Sequence, residues 1–327
     1  MIVTRTPYRI SLFGGGTDFP AWYDLRGGAV LSLTINKFCY ISLRPLPSYL
    51  DYRYKISYSV VETPQVLDGI KHPAVREALR RYSPESSIEL NHGGDLPARS
   101  GVGSSSAFAV GLIHALKILI GKRNITPFEL AQEAIFLEQN ILGENVGSQD
   151  QIACAYGGIN FLRFGGAQSP WSIESLSLNP ETIRELETRM VLLYTGISRS
   201  SSDVSAGLIR NLPIRQNELI RTTELAEISR AILTKGYDLS QIGEMLNESW
   251  DLKMALNPYA VTPELISLCE KAKKEGAIGC KVLGAGGGGF LLLWLANDSR
   301  KHFLEKFHYG KVIPFQIENQ GSICLAS

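Results

Sequence analysis

Three glycine-rich segments and three acidic side chains carry the chemistry this sequence can do. The middle segment, Pro97-Ala98-Arg99-Ser100-Gly101-Val102-Gly103-Ser104-Ser105-Ser106-Ala107, lies between a strand-like stretch and a helical one. Small residues let the backbone approach a ligand closely. The start of a helix adds unpaired N–H groups and the positive end of its dipole, which suits phosphate. Gly101, Val102, Gly103, Ser104, Ser105 and Ser106 are therefore the candidate phosphate-binding residues, and a serine hydroxyl also offers an oxygen to Mg2+. A serine N-cap after a glycine turn is the competing reading. The loop lacks a Gly-Lys-Ser/Thr ending, so it is not a Walker A loop.

The last segment, Gly284-Ala285-Gly286-Gly287-Gly288-Gly289, satisfies G-x-G-x-x-G. The residues after it, FLLLWLA, read as a strand, whereas a dinucleotide fingerprint needs a helix there. Four consecutive glycines point to a backbone pressed against a ligand or another loop. The first segment, Phe13-Gly14-Gly15-Gly16-Thr17-Asp18, puts a hydroxyl and a carboxylate after three glycines, which suits a polyol. Asp18 can equally cap a helix that starts near Pro20.

Glu138 stands out by position. The apolar stripe Leu130, Ala134, Ile135, Ile141 and Leu142 has helical spacing, and Glu138 interrupts its core-facing side. A buried carboxylate needs a partner, and a metal ion would serve. The alternative is a tilted stripe that leaves Glu138 at a solvated edge. Asp150 sits in the polar stretch Gly143–Gln151, ahead of the apolar IACAYGGINF, and is either a general base or a cap.

These residues need elements to hold them. The first sixty residues read as strands: IVTRTPYRISLF, AVLSLTI, FCYISLRPL and YRYKISYS, divided by Gly, Pro and Asn. SSIELNH (86–92) reads as another. Helical periodicity then covers 104–120, and Thr126-Pro127-Phe128-Glu129 predicts a capping box opening a helix to about Leu142. GGINFLRF and MVLLYT are strand-like. Helices are expected over 215–235, 239–254 and 262–276, then strand, glycine turn and strand, a helix over 298–308 and a strand over 311–317. The pattern predicts an α+β chain in two halves, 1–185 and 186–327, each with its own sheet and helices.

Composition narrows the function. Lys plus Arg number 33 against 32 Asp plus Glu, a formal net charge of +1, which argues against a nucleic-acid or polybasic membrane binder. The five cysteines are widely spaced with no C-x-x-C, so neither a disulfide framework nor a zinc site is expected. The first residues, MIVTRTPYRI, show no signal-peptide pattern, and the longest apolar run, Phe290–Ala296, is far too short to span a membrane. A cytoplasmic protein is expected, with no nucleic-acid or membrane partner; the oligomeric state is not readable.

Taken together, three segments resemble the GHMP small-molecule kinases in order along the whole chain. They are Pro7–Asp18, the Pro97–Ala107 loop (like the family's P-x3-G-L-G-S-S-A, with Val102 where Leu is commoner) and Lys281–Gly289. Within the family, RTPYRISLFGGGTDFPAWY, ENVGSQDQIACAYGG and YTGISRSSSDV look like the D-glycero-D-manno-heptose 7-phosphate kinase subgroup. Gly15-Gly16 replaces the acidic-His pair that most members carry in the first motif, as in heptose and fucose kinase relatives, which argues against galactokinase proper. The resemblance implies a two-domain GHMP kinase fold, with an N-terminal half like ribosomal protein S5 domain 2 and a ferredoxin-like C-terminal half. ATP and Mg2+ are the implied cofactors.

The resemblance also implies roles. Ser105 and Glu138 match the family's metal ligands, Asp150 its catalytic aspartate and Arg9 the basic residue of the first motif. Gly15, Gly16, Thr17 and Asp18 match the sugar loop, and Gly286 and Gly287 lie in the third motif at the substrate. If the acceptor already carries a phosphate, a cation must meet it: Arg199 is the first candidate and Lys281 the second, with a surface salt bridge or a contact to ATP as the competing reading of each. The implied reaction is ATP-dependent phosphorylation of the anomeric hydroxyl of the heptose 7-phosphate, and a fucokinase-like or hexosamine 1-kinase is the alternative. The polyol-type loop speaks against a mevalonate-diphosphate decarboxylase. A non-catalytic sugar sensor would have damaged catalytic positions, and here Arg9, Ser105, Glu138 and Asp150 are all present.

Overall fold

The structure is a computed structural model, described here for residues 1–82, 87–98, 100–165, 170–197 and 201–327, with side chains left aside at 201–203, 205 and 206. Arg99 and Arg199 lie outside the described residues. In chain order the elements are β1 (Ile2–Phe13), α1 (Pro20–Arg26), β2 (Gly28–Pro45), β3 (Tyr54–Ser57), β4 (Val61–Glu62), α2 (Pro73–Tyr82), β5 (Ile88–Gly94), α3 (Ser104–Leu119), α4 (Pro127–Ile135), α5 (Gln149–Tyr156), β6 (Ile159–Phe164), β7 (Trp171–Ser175) and α6 (Pro180–Arg189). Then come β8 (Met190–Tyr194), α7 (Ser201–Asn211), α8 (Gln216–Lys235), α9 (Ser240–Leu256), α10 (Pro263–Lys274), β9 (Ala277–Val282), β10 (Phe290–Leu295), α11 (Arg300–Lys306), β11 (Lys311–Ile313) and β12 (Ile323–Ala326). The expected α+β class is what is found.

One sheet runs β12-β1-β2-β5-β3-β4, with β6 and β7 continuing from the other half of β2. The long strand β2 makes this possible. Its first residues pair with β6 (Val30 opposite Leu162), and its last with β5 (Leu43 opposite Leu90). The second sheet, β11-β8-β10-β9, is antiparallel throughout. Its strand β10 is apolar at every position because both faces are covered. Phe290, Leu292 and Trp294 join the main core, while Leu291, Leu293 and Leu295 pack with Leu265, Cys269 and Phe303 from α10 and α11. Full burial of each such side chain contributes about 1.5–3 kcal/mol.

The first sheet is built from β1–β7 and β12, the second from β8–β11. Position 185/186 lies inside α6, whose Asn179 caps it by accepting from Thr182 N at 2.8 Å. And β12 returns to the first sheet, antiparallel to β1 (Arg5 opposite Ile323).

The predicted capping box at α4 is half made. Thr126 Oγ1 accepts from Glu129 N at 3.2 Å, but the Glu129 carboxylate pairs with Lys117 and Lys122. The cysteine expectation is also corrected. Cys269 on α10 and Cys280 on β9 are disulfide-bonded, with Cα atoms 6.0 Å apart, while Cys39 and Cys154 are buried and free.

Candidate active site

β1 delivers the first group. Its middle places Arg9, with a side chain only 4% exposed, against the glycine loop that precedes α3. Arg9 N donates to Val102 O at 3.0 Å and Arg9 Nη1 to Gly101 O at 2.6 Å. Gly101 has φ +82°, and a Cβ there would meet Leu283 O at 2.6 Å. So the phosphate-type loop is pinned between Arg9 on one side and Leu283–Gly284 on the other. The loop then opens α3 at Ser104, after Gly103 in the left-handed region.

α5 delivers Asp150. The polar composition of this stretch suggests a loop, but it is a helix whose first turn contains Asp150. Arg9 Nε donates to Asp150 Oδ1 at 2.7 Å, and Nη2 to Oδ2 at 2.5 Å. This parallel fork is the strong form of a charge-assisted pair. The arginine end is buried, and the Asp150 carboxylate, 23% exposed, faces the cleft.

Asp18 does not cap α1. It reaches across to α5 instead. Asp18 accepts from Gly16 N at 2.9 Å and from Gln149 N at 3.2 Å, and its own carbonyl accepts from Ser148 N. It therefore satisfies an orphan amide at the start of the helix that carries Asp150. Gly147 is glycine for the same reason, since a Cβ there would lie 1.9 Å from Asp18 Oδ2. Burial and then the Asp150 charge raise the Asp18 carboxyl above the usual carboxylate range.

Glu138 is 1% exposed, so its interruption of the apolar stripe does mark a buried carboxylate. The helix is not continuous there: Phe136–Ile141 form a π-turn following α4. The wider turn carries Leu137 and Glu138 inward and leaves Ile141 and Leu142 only half-buried. Such turns recur at functional sites. Glu138 accepts from Ser105 Oγ at 2.7 Å, Ser106 Oγ at 2.8 Å and Gln151 Nε2 at 2.6 Å. Desolvation pushes its carboxyl up to about 7 against the pull of those three bonds. A buried carboxylate held only by neutral donors, with an exposed serine hydroxyl on it, suits a hard cation. Among the described residues no group of three or more His, Cys, Asp or Glu converges on a metal position. A divalent ion here would draw its remaining ligands from water or phosphate, as Mg2+ prefers.

The cleft is closed by the second half of the chain. Lys281 on β9 is buried and donates to Leu12 O at 2.8 Å. Lys253 on α9 donates to Val282 O at 3.4 Å and to Gly284 O. Lys253 is not among the residues expected from the sequence. Its signal there is its place on the buried side of α9, three after Trp250 and seven after Leu246. Gln151, which links α5 to the π-turn, is likewise an addition made by the structure.

Of the expected residues, Arg9, Gly15, Gly16, Asp18, Gly101, Gly103, Ser104, Ser105, Ser106, Asp150 and Lys281 line one cleft, and Glu138 sits directly behind Ser105 and Ser106. Others do not face it. Val102 has its side chain in the core, so only its backbone meets Arg9. Thr17 is fully buried, its hydroxyl donating to Gly14 O at 2.8 Å and accepting from Ala29 N at 3.2 Å, so it braces the loop rather than holding a ligand. Gly286 and Gly287 pack on Ala260. A Cβ on Gly286 would strike Ala260 O at 2.4 Å, and Gly287 N donates to that oxygen at 2.6 Å. Of the third glycine segment, Gly284 and Ala285 are the residues at the cleft. Arg199 lies outside the described residues.

Comparison with known proteins gives a consistent kinship. The family described as GHMP kinases N terminal domain matches residues 70–158, and GHMP kinases C terminal matches 230–308. The D-glycero-alpha-D-manno-heptose 7-phosphate kinase of Campylobacter jejuni is 28% identical, over 98% of this chain and 97% of its own. The bifunctional fucokinase/GDP-fucose pyrophosphorylase of Arabidopsis thaliana is also 28% identical, over 90% of this chain and 30% of its own. Among solved structures, a D-glycero-D-manno-heptose 1-phosphate kinase from Bacteroides thetaiotaomicron superposes with a TM-score of 0.81 at 23% identity, covering 100% of this chain and 99% of that one.

Proposed function

The chain belongs to the GHMP kinases, a family of ATP-dependent phosphotransferases, and on that premise we propose that it is a sugar kinase that phosphorylates the anomeric hydroxyl of D-glycero-D-manno-heptose 7-phosphate. The observation that carries the reading is the Arg9–Asp150 fork opening onto the same cleft as the loop at 101–106 and the Gly15–Asp18 turn. The full-length likeness to the Campylobacter enzyme supports the choice of acceptor.

In this reading the ATP phosphates lie on the backbone of residues 101–106 at the N-terminus of α3, where oriented N–H groups meet anionic oxygens without reorganisation. The sugar lies against Gly15, Gly16 and Asp18. Its anomeric oxygen attacks the γ-phosphorus, the bond from that phosphorus to the β,γ-bridging oxygen breaks, and ADP leaves. Asp150 accepts the hydroxyl proton. Each of its oxygens already takes one Arg9 N–H, yet a carboxylate oxygen has a second lone pair for the substrate. Arg9 fixes that carboxylate and stabilises the negative charge growing on the attacking oxygen. A carboxylate is a modest base, which suffices for an anomeric hydroxyl, more acidic than an ordinary alcohol. Ser105 and Glu138 would hold Mg2+, which supplies neutralisation of phosphate charge when bound.

The test is ADP release with Mg2+ across an acceptor panel: heptose 7-phosphate, the unphosphorylated heptose, fucose, galactose, N-acetylhexosamines and mevalonate. Selective turnover of heptose 7-phosphate is expected. Preference for fucose or an N-acetylhexosamine would transfer the same machinery to a related sugar 1-kinase and remove the heptose assignment.

A further inference from the structure

Two lysine ammonium groups line the cleft without an acidic partner among the described residues. Lys281 spends one of its three donors on Leu12 O, and Lys253 directs its own to the carbonyls of Val282 and Gly284. Carbonyl oxygens orient an ammonium group but do not neutralise it. The two come from neighbouring places, because Lys253 grips the strand end one and three residues beyond Lys281. Both are held in a proton-shedding environment: burial, then Arg9, lowers Lys253 to about 8, and burial, then Lys253 and Arg9, lowers Lys281. Paired desolvated cations with donors to spare are costly unless an anion joins them.

The position of the pair says which anion. The loop at 101–106 and the Ser105–Glu138 contact already form an ATP phosphate site on the first half of the chain. Lys281 Nζ instead rests on Leu12 O at 2.8 Å, at the end of β1 that runs into the Gly15–Asp18 turn assigned to the sugar, and Lys253 stands beside it. On this half of the chain the cleft is also lined by Thr222, Ser249 and Asn257, beside the apolar Val204, Leu208 and Leu256. We propose that Lys253 and Lys281 form the subsite for a phosphate group that the acceptor sugar already carries. This rests on the acceptor named above. It moves the phosphate-binding role from Arg199 to Lys253, with Lys281 beside it.

The experiment compares wild type with Lys253→Met and Lys253→Arg. KM is measured for heptose 7-phosphate, for the unphosphorylated heptose and for ATP. Lys253→Met should raise KM for the phosphorylated acceptor tenfold or more, leave KM for ATP within twofold, and erase discrimination between the two heptoses, while Lys253→Arg restores most of it. An equal rise in KM for ATP would assign the cation to the nucleotide and overturn the subsite. A second readout does not depend on the acceptor: thermal stabilisation by inorganic phosphate with a saturating non-hydrolysable ATP analogue bound. Stabilisation of wild type and not of Lys253→Met supports the subsite even if heptose 7-phosphate proves a poor acceptor, in which case only the choice of sugar fails. No stabilisation of either, with free sugars turned over as well as phosphorylated ones, overturns it.

Discussion

Arg9 and Asp150, 141 positions apart in the chain, meet through two parallel hydrogen bonds of 2.7 and 2.5 Å. The arginine is buried and the aspartate faces the cleft. Replacing Asp150 by Asn keeps the shape and removes the base. The turnover number should fall roughly 10²-fold or more, the scale of general-base loss, while ATP affinity measured by titration calorimetry stays near wild type. Turnover close to wild type would remove the base assignment. Arg9→Lys should also lose rate, because a lysine cannot reproduce the planar fork.

Glu138 offers a test of the cation. In Glu138→Gln the desolvated charge is gone and the volume is kept. The Mg2+ concentration for half-maximal rate should rise by about tenfold or more, the order expected when a ligand set is damaged. Melting temperature should change little, because hydroxyls at 105 and 106 can rotate to suit the amide. An unaltered Mg2+ dependence in that variant would take Glu138 out of the metal site.

Gly101 and Gly284 interlock the two halves at the cleft: a Cβ on Gly284 would lie 2.5 Å from Gly101 Cα. Gly101→Ala combines a left-handed φ with a backbone collision. It should destabilise by about 1–3 kcal/mol, the usual cost of holding such strain, and weaken ATP binding together with it. Urea denaturation and ATP titration of the same variant measure both. Retention of both at wild-type levels would show that the loop tolerates a side chain and is not pinned.

The acceptor phosphate subsite predicts a pH effect. Lys253 is lowered to about 8 by burial first and Arg9 second, with Asp18 and Asp150 opposing and Lys281 nearby. The ammonium form binds the phosphate, and it predominates below about 8. Hence kcat/KM for the phosphorylated acceptor should decline as pH rises through about 8. In Lys253→Arg the decline should move to higher pH, since a guanidinium stays charged. An identical alkaline limb in the two proteins would point to another group.

Much of the site is legible in the sequence because its chemistry is local. The loop at 101–106 announces itself by glycines beside a helix start, and Glu138 by a carboxylate placed in an apolar stripe. The π-turn that turns Glu138 inward is not legible, because FLEQNI differs in no local way from an ordinary helix. α5 escapes for a related reason. Its first amides are satisfied by Asp18, 131 residues away from Gln149, and nothing in SQDQ records that. β12 pairs with β1 across most of the chain, a choice made by the exposed edge of the sheet rather than by ICLA itself. At α6 the signal is present: Asn179-Pro180-Glu181 is a helix start, although its proline also suggests a boundary. The glycines at 286–287 look like substrate contacts in the sequence, but their freedom from side chains serves close packing on Ala260.

The central claim is transfer of a phosphoryl group to the anomeric oxygen of a sugar that already bears a phosphate. The most direct measurement is phosphorus–proton correlation NMR of the products after incubation with ATP, Mg2+ and heptose 7-phosphate. The account predicts a new phosphorus resonance coupled to the anomeric proton, with the original phosphate still on C7 and one ADP formed per product. A new phosphate on any other carbon, or ADP formed with no new sugar phosphate, would contradict it.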